Sequence, residues 1–275
     1  MSILIRRDIH MAATQFTNEI VLTSISDRVG TVTLNRPEAR NALSSDLLAA
    51  LPKALSSLEE DPEVDVLVLT GTDPAFCAGL DLKELGGSGG NINPDRSLKA
   101  KGPFPKYSKP LIGAINGVAV TGGLELALAC DFLIASDRAA FADTHARVGV
   151  MPGWGLSVLL PQAIGVRRAR EMSLTGNYID AQTAAAWGLV NRVVAHELLL
   201  ETVQSLASEI SSNDQQGVQQ MLNTYERTGD TTVAEGWEIE ASMGADWLDR
   251  TNFKPEKVAQ RRAEIQSRGR TQNRS

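Results

Sequence analysis

Apolar and polar residues alternate from Asn18 to Ile25 and again from Val29 to Leu34, on either side of Asp27. That period-two pattern predicts a β-hairpin. Leu47, Leu48, Leu51, Leu55 and Leu58 then recur at helical spacing toward Glu60, with Ser44 or Ser45 placed to cap the start. Pro52 falls inside this helix and predicts a kink or a new turn. Val64–Thr70 (VDVLVLT) is almost continuously apolar, as expected of a strand with parallel neighbours and both faces covered. Leu111–Ile115, Phe132–Ala135, Ala140–Phe141 and Val190–Val194 predict further strands. Leu124–Cys130, Leu156–Ile164, Arg167–Leu174 and Ala181–Trp187 predict helices, and from His196 onward the chain reads as helices with breaks near Asn213 and Gly229. The organisation is an α/β core over 16–200, preceded by an N-terminal extension (1–15) expected to be poorly ordered, and followed by a helical region over 201–275. No repeat of fixed period is visible in the sequence.

Composition narrows the classes. The chain has 275 residues, 43% of them hydrophobic, enough for a substantial core. A net charge of -6 gives no field favouring nucleic acid. No apolar run approaches the ~18 residues of a membrane helix. Two cysteines, Cys77 and Cys130, sit among apolar residues without metal spacing. They are expected to be free thiols in a reducing cytoplasm. No metal and no redox cofactor is expected, since His and Cys are too few and badly spaced.

Chemistry concentrates between Gly113 and Asp131 (GAINGVAVTGGLELALACD). A strand, a turn with Gly117, Gly122 and Gly123, and a helix place unpartnered backbone N–H groups at the helix start. Such donors suit an anion or a developing oxyanion. Glu125 lies in that first turn and leans toward the same end; taken alone, it also fits a carboxylate complementing the helix dipole, worth about 0.3–1 kcal/mol. The segment Gly71–Leu85 (GTDPAFCAGLDLKEL) offers a second set of accessible amides around Ala78 and Gly79, with Asp81 placed to cap a helix over 82–85. Gly86–Pro94 is low in complexity and has no phosphate-loop register; it fits a loop over a ligand site or a plain linker. Ala142–Ser157 (ADTHARVGVMPGWGLS) is rich in Gly and turn signals, and Met151 and Trp154 there fit either a pocket wall or local packing.

AFCAGLDLKEL at 75–85 and INGVAVTGGLELALACDFLIAS at 115–136 resemble the two signature stretches of the enoyl-CoA hydratase/isomerase (crotonase) family. LNRPEARNAL at 34–43, FADTHARVGVMPGWG at 141–155 and the run at 174–194 also match the family in spacing, so the resemblance covers about residues 18–200. It implies a crotonase-like spiral of ββα units, with C-terminal helices serving trimer contacts and trimers pairing into hexamers. It implies an acyl-CoA thioester as substrate; coenzyme A is part of that substrate, and no separate cofactor is implied.

By resemblance, the oxyanion donors are the backbone N–H groups of Ala78 and Gly122, and Glu125 is the acid/base acting on water. The loop Arg36–Asn41, including Ala39 and Arg40, and the backbone of Ala78, Gly79, Leu80 and Asp81 would line the CoA slot. Arg36 and Arg40 fit CoA phosphates or an ordinary solvated loop. The second family glutamate falls at position 145, where this chain has His145. Asp143, two residues earlier, would share its face on an extended segment. Asp143 would then orient His145 to hold water or substrate; alternatively, His145 only lines the site and hydration is inefficient. The resemblance therefore implies a 2-enoyl-CoA hydratase. Double-bond isomerisation, a specialised hydratase/lyase reaction or a catalytically weak acyl-CoA-binding member stay open. A hydrolase is disfavoured because no G-x-S-x-G elbow is present.

Overall fold

The structure is a computed structural model, and it describes residues 17–87, 102–251 and 255–272. The extension 1–15 and most of the Gly86–Pro94 stretch lie outside the described residues. Two compact units divide the chain at residues 219/220.

The first unit holds two sheets. Strands β1 (Thr17–Asn18), β2 (Val21–Ser26) and β3 (Val29–Leu34) form the antiparallel edge of a seven-stranded sheet. The sheet continues in parallel through β4 (Val66–Gly71), β6 (Leu111–Ile115), β8 (Phe132–Ser136) and β11 (Arg192–Val194). A four-stranded sheet takes β5 (Ala75–Cys77), β7 (Val118–Val120), β9 (Ala140–Ala142) and β10 (Ile179–Asp180), in the order β10-β9-β7-β5. Each turn of the chain thus sends one strand to the large sheet, the next to the small sheet, and then a helix. The helices are α2 (Leu82–Leu85), α3 (Gly122–Leu128) and α4 (His145–Val148). This is the ββα spiral expected from the resemblance.

The apolar run of β4 is explained by its neighbours. Val66 and Val68 face one cluster, with Val29, Ile112, Ala114 and Ile134. Leu67 and Leu69 face the other, with Leu34, Leu47, Leu55 and Ile115. Alternation persists along the strand, but both faces are buried. The first of these faces is covered by α8 (Leu199–Ser211), whose Leu199, Val203 and Ala207 recur every four residues. Fully burying each such Val or Leu contributes roughly 1.5–3 kcal/mol.

Helix α1 (Ser45–Glu60) is capped by Ser44, whose side chain accepts the Leu47 N–H at 3.3 Å. It runs through Pro52 as one helical element. Leu47, Leu51, Leu55 and Leu58, buried on both sides of the proline, hold it in place. Helices α5 (Leu156–Ile164), α6 (Val166–Thr175) and α7 (Ala181–Trp187) follow the apolar pattern closely. Helix α9 (Gln215–Gly229) carries the chain across the division between units, and α10 (Val233–Thr251) and α11 (Pro255–Gln272) make up the rest of the second unit. Among the described residues, no helix is long and apolar enough to cross a membrane.

Candidate active site

Strand β7 leads into Thr121, and α3 begins at once with Gly122, two residues earlier than apolar patterning predicts. The second glycine is a steric requirement: a Cβ on Gly123 would lie 2.1 Å from the carbonyl oxygen of Cys77 in β5. Gly79 is also required. It has φ +91°, and its Cβ would lie 2.7 Å from the Val120 carbonyl oxygen. The loop after β5 therefore lies backbone to backbone against the start of α3.

An isolated parallel bridge helps to hold that loop. Leu43 N–H donates to Gly79 O at 2.8 Å, and Asp81 N–H donates to Leu43 O at 3.1 Å. These two bonds bracket Leu80 in a parallel bridge and leave its own N–H off the ladder. The Ala78 N–H is not available as an oxyanion donor: it donates to the Arg40 carbonyl at 3.0 Å. Among the described residues, no backbone or side-chain acceptor is set against the N–H of Leu80 or of Gly122. The Leu80 side chain reaches Gly122, with Cδ2 4.0 Å from where a Gly122 Cβ would be; Leu43 Cδ1 and Trp154 Cζ3 come within 2.9 and 3.3 Å of the same point. Of the expected Ala78–Gly122 pair, the Ala78 amide is thus committed elsewhere, and the uncommitted amides are those of Leu80 and Gly122. The amide left off the ladder lies in the peptide plane between Gly79 and Leu80, whereas the Ala78 amide, in the plane between Cys77 and Ala78, is taken by Arg40.

Glu125 projects into the same region and is 2% exposed. Its two oxygens differ. Oε1 accepts the Trp154 N–H at 2.7 Å and the Leu156 N–H at 3.4 Å. Oε2 lies 3.7 Å from His145 Nε2, too long for a direct hydrogen bond. Burial pushes the Glu125 carboxyl up, while the Trp154 N–H and the neighbouring His145 pull it back, and the net shift is upward. This environment does far more than complement a helix dipole.

His145 and Asp143 do meet, though not along a strand. Strand β9 ends at Ala142, and His145 opens α4. The two residues close a tight turn in which Asp143 Oδ1 accepts the His145 backbone N–H at 3.2 Å and lies 2.6 Å from Nδ1. Burial would raise the Asp143 carboxyl, but hydrogen bonds from His145 and Ser173 outweigh it and leave it below its usual value. An ionised Asp143 accepts a proton-bearing Nδ1, so in the neutral ring the Nε2 lone pair is turned toward Glu125. Ser173, on α6, gave no signal in the sequence. The same is true of Thr121 and Thr144, whose hydroxyl oxygens lie 2.5 Å apart beside Gly122 and His145.

The remaining predicted residues divide. Asp81 caps α2 by accepting the Lys83 N–H at 3.1 Å. Arg36 is committed: its guanidinium donates to the Ala42 carbonyl at 2.6 Å and to Asp81 Oδ2 at 3.0 Å. Arg40, on the same loop as Ala39, is exposed and sits in the left-handed region at φ 51°. Both cysteines are buried, and burial pushes the Cys77 thiol up to about 12. Among the described residues, no group of three or more His, Cys, Asp or Glu could hold a metal. A second Ser–His–Asp chain joins Ser136 Oγ to His196 Nδ1 and His196 Nε2 to Asp73 Oδ2, each at 3.0 Å. Ser136 is fully buried and already accepts the Arg138 N–H, so this chain ties strand ends together and is no nucleophile.

Comparison with known proteins gives the same direction. A family model described as enoyl-CoA hydratase/isomerase matches residues 24–266. A probable enoyl-CoA hydratase of Rhizobium meliloti is 37% identical over 256 residues, covering 91% of this chain and 99% of that protein. A probable peroxisomal enoyl-CoA hydratase of Arabidopsis thaliana is 39% identical over 198 residues, or 72% of this chain and 75% of the relative. Among solved structures, an enoyl-CoA hydratase from Mycobacterium paratuberculosis is 49% identical with a TM-score of 0.70, covering 86% of this chain and all of that one. One from Bacillus anthracis is 31% identical with a TM-score of 0.78, covering 90% and 96%.

Proposed function

The chain belongs to the enoyl-CoA hydratase/isomerase family, and from that premise we propose that it adds water across the double bond of a 2-enoyl-CoA thioester to give a 3-hydroxyacyl-CoA. The observation carrying this reading is the pairing of Glu125 Oε2 with His145 Nε2 at 3.7 Å beside two uncommitted amides. Two acceptors that close can both lie about 2.8 Å from one water oxygen, which is the arrangement hydration needs.

The steps balance without a cofactor. Oε2 of ionised Glu125 takes one proton of the water, and His145 Nε2 accepts a hydrogen bond from the other. The water oxygen bonds to C3, and the double-bond electrons move through C2 to the thioester oxygen. The N–H groups of Leu80 and Gly122 stabilise that oxyanion, one such donor being worth about 3 kcal/mol of barrier. The enolate then collapses, C2 takes the proton from Glu125, and the carboxylate is restored. The upward shift of Glu125 suits both halves, since the proton must be held briefly and given back. Fixing one carboxylate oxygen on the Trp154 amide leaves the other to do the chemistry.

For the CoA moiety, the loop bearing Ala39 and Arg40 and the backbone of Gly79 to Asp81 form one continuous edge. Arg40 is the side chain assigned to phosphate, because Arg36 is already paired with Asp81. Apolar residues exposed on the C-terminal helices, among them Tyr225, Trp237 and Leu248, fit contacts between copies in a trimer or hexamer. Two buried free thiols fit a reducing compartment such as the cytoplasm.

The deciding experiment is hydration of 2-butenoyl-CoA, followed by loss of enone absorbance and chromatography of the product, with 3-butenoyl-CoA run in parallel. Wild-type enzyme is expected to hydrate the 2-enoyl substrate. Glu125→Gln, which keeps an acceptor for the Trp154 N–H, is expected to lose at least about a hundredfold. Conversion of the 3-enoyl substrate with no hydration of the 2-enoyl one would replace this reading with isomerisation, and full activity of Glu125→Gln would remove the mechanism.

A further inference from the structure

Thr121 has φ 55° and ψ -113°, a conformation that a β-branched residue adopts only under constraint. Backbone strain of this kind persists where the surroundings over-determine it, and it gathers at functional sites. The surroundings here are specific. Thr121 N–H donates to Ala142 O at 2.9 Å, and Thr121 O accepts the Glu125 N–H at 3.0 Å. Its hydroxyl oxygen accepts the Thr144 N–H at 3.2 Å and lies 2.5 Å from the Thr144 hydroxyl. The residue is 4% exposed.

Two functional segments meet at this contact. The N–H of Gly122 belongs to the peptide plane that follows Thr121, so the ψ angle of Thr121 sets the direction of that N–H. Thr144 sits between Asp143 and His145, at the N-cap position of α4. We infer that Thr121 is a positioning residue: its hydroxyl, locked to Thr144, aims the Gly122 N–H at the thioester oxygen and keeps the His145 turn in register with it. The inference rests on the thioester chemistry proposed above. It adds that a side chain touching no substrate sets the alignment of donor and water site together.

Four variants test it: Thr121→Val keeps shape and loses the hydroxyl, Thr144→Val removes the partner, Thr121→Ser keeps the hydroxyl, and Thr121→Gly relieves the backbone but loses the clasp. Thr121→Val and Thr144→Val are each expected to lower kcat by about ten- to a hundredfold, with KM changing far less. The double Val variant should be little slower than either single one, because the pair acts as a unit. Thr121→Ser should recover most of the rate. Thr121→Gly should melt no lower than wild type, yet turn over as slowly as Thr121→Val.

A readout without turnover is the infrared stretch of carbonyl-labelled butanoyl-CoA. Binding to wild type should shift it to lower frequency, and the Val variants should shift it less. Wild-type kcat in Thr121→Gly, or an undiminished carbonyl shift in both Val variants, would overturn the inference. Should wild type hydrate no 2-enoyl-CoA, the functional reading fails while the carbonyl shift still decides the role of Thr121.

Discussion

Replacing Asp143 with asparagine keeps the shape of the buried turn and removes one charge. The wild-type carboxylate lies 2.6 Å from His145 Nδ1 and is 1% exposed. A hydrogen bond to a charged group in such surroundings contributes about 1.5–3 kcal/mol. It also decides the tautomer, because an ionised carboxylate can only accept. A carboxamide in its place could present either its oxygen or its amide hydrogens, so the Nε2 lone pair would no longer be assured on the Glu125 side. If the whole interaction is expressed in the transition state, the loss is about 10- to 150-fold in kcat, at about 1.36 kcal/mol per factor of ten. KM should change little, since CoA contacts lie on other loops. Stability carries a second signature. The Asp143 carboxyl is held below its ordinary value in the fold. Its contribution is therefore present above the unfolded carboxylate range and is lost as pH falls through the depressed folded value. The difference in urea midpoint between wild type and Asp143→Asn should be full near neutrality and shrink in acid. Steady-state hydration kinetics together with urea melts across pH measure both effects. A variant that hydrates at the wild-type rate would refute the argument and make the pair a packing feature.

Two further outcomes follow from geometry. Gly123→Ala should cost about 3 kcal/mol or more in thermal unfolding, because the added methyl meets a backbone carbonyl at 2.1 Å with no flexible side chain to give way. Arg36→Ala and Arg40→Ala should separate: the first strips a buried Asp81 of its only cationic partner among the described residues, leaving it the amides of α2, and lowers stability by roughly 1–3 kcal/mol, whereas the second should raise KM for the CoA substrate with little change in melting temperature.

Much of this architecture was legible because it is local. Strand β4 announces its two buried faces by continuous apolarity, and α1 shows its leucine spacing and its Ser44 cap. Glu125 was legible as a carboxylate in the first turn of a glycine-led helix. Other features depend on distant partners. Strands β5 and β7 have three residues each, too few to show a period. Whether the amide of Ala78 or of Leu80 faces the site depends on the Arg40 carbonyl and the Leu43 bridge, contributed by a loop far upstream in the chain. The spacing of Asp143 and His145 predicts their contact on an extended segment, but the turn signals of Ala142–Ser157 do not say that the bend falls between these two residues. Thr121 ran against propensity, because a β-branched residue is the last expected at positive φ. The backbone there obeys the Ala142 carbonyl and the Thr144 hydroxyl.

One oxygen of Glu125 is tethered to the Trp154 amide and the other faces His145 Nε2. A carboxylate anchored in this way cannot swing around a flat acyl group between the two halves of the reaction. In the hydration proposed above, hydroxyl and hydrogen would therefore enter from the same side of the molecule, and the handedness of the product would be decided when the thioester lies down with one face toward α3.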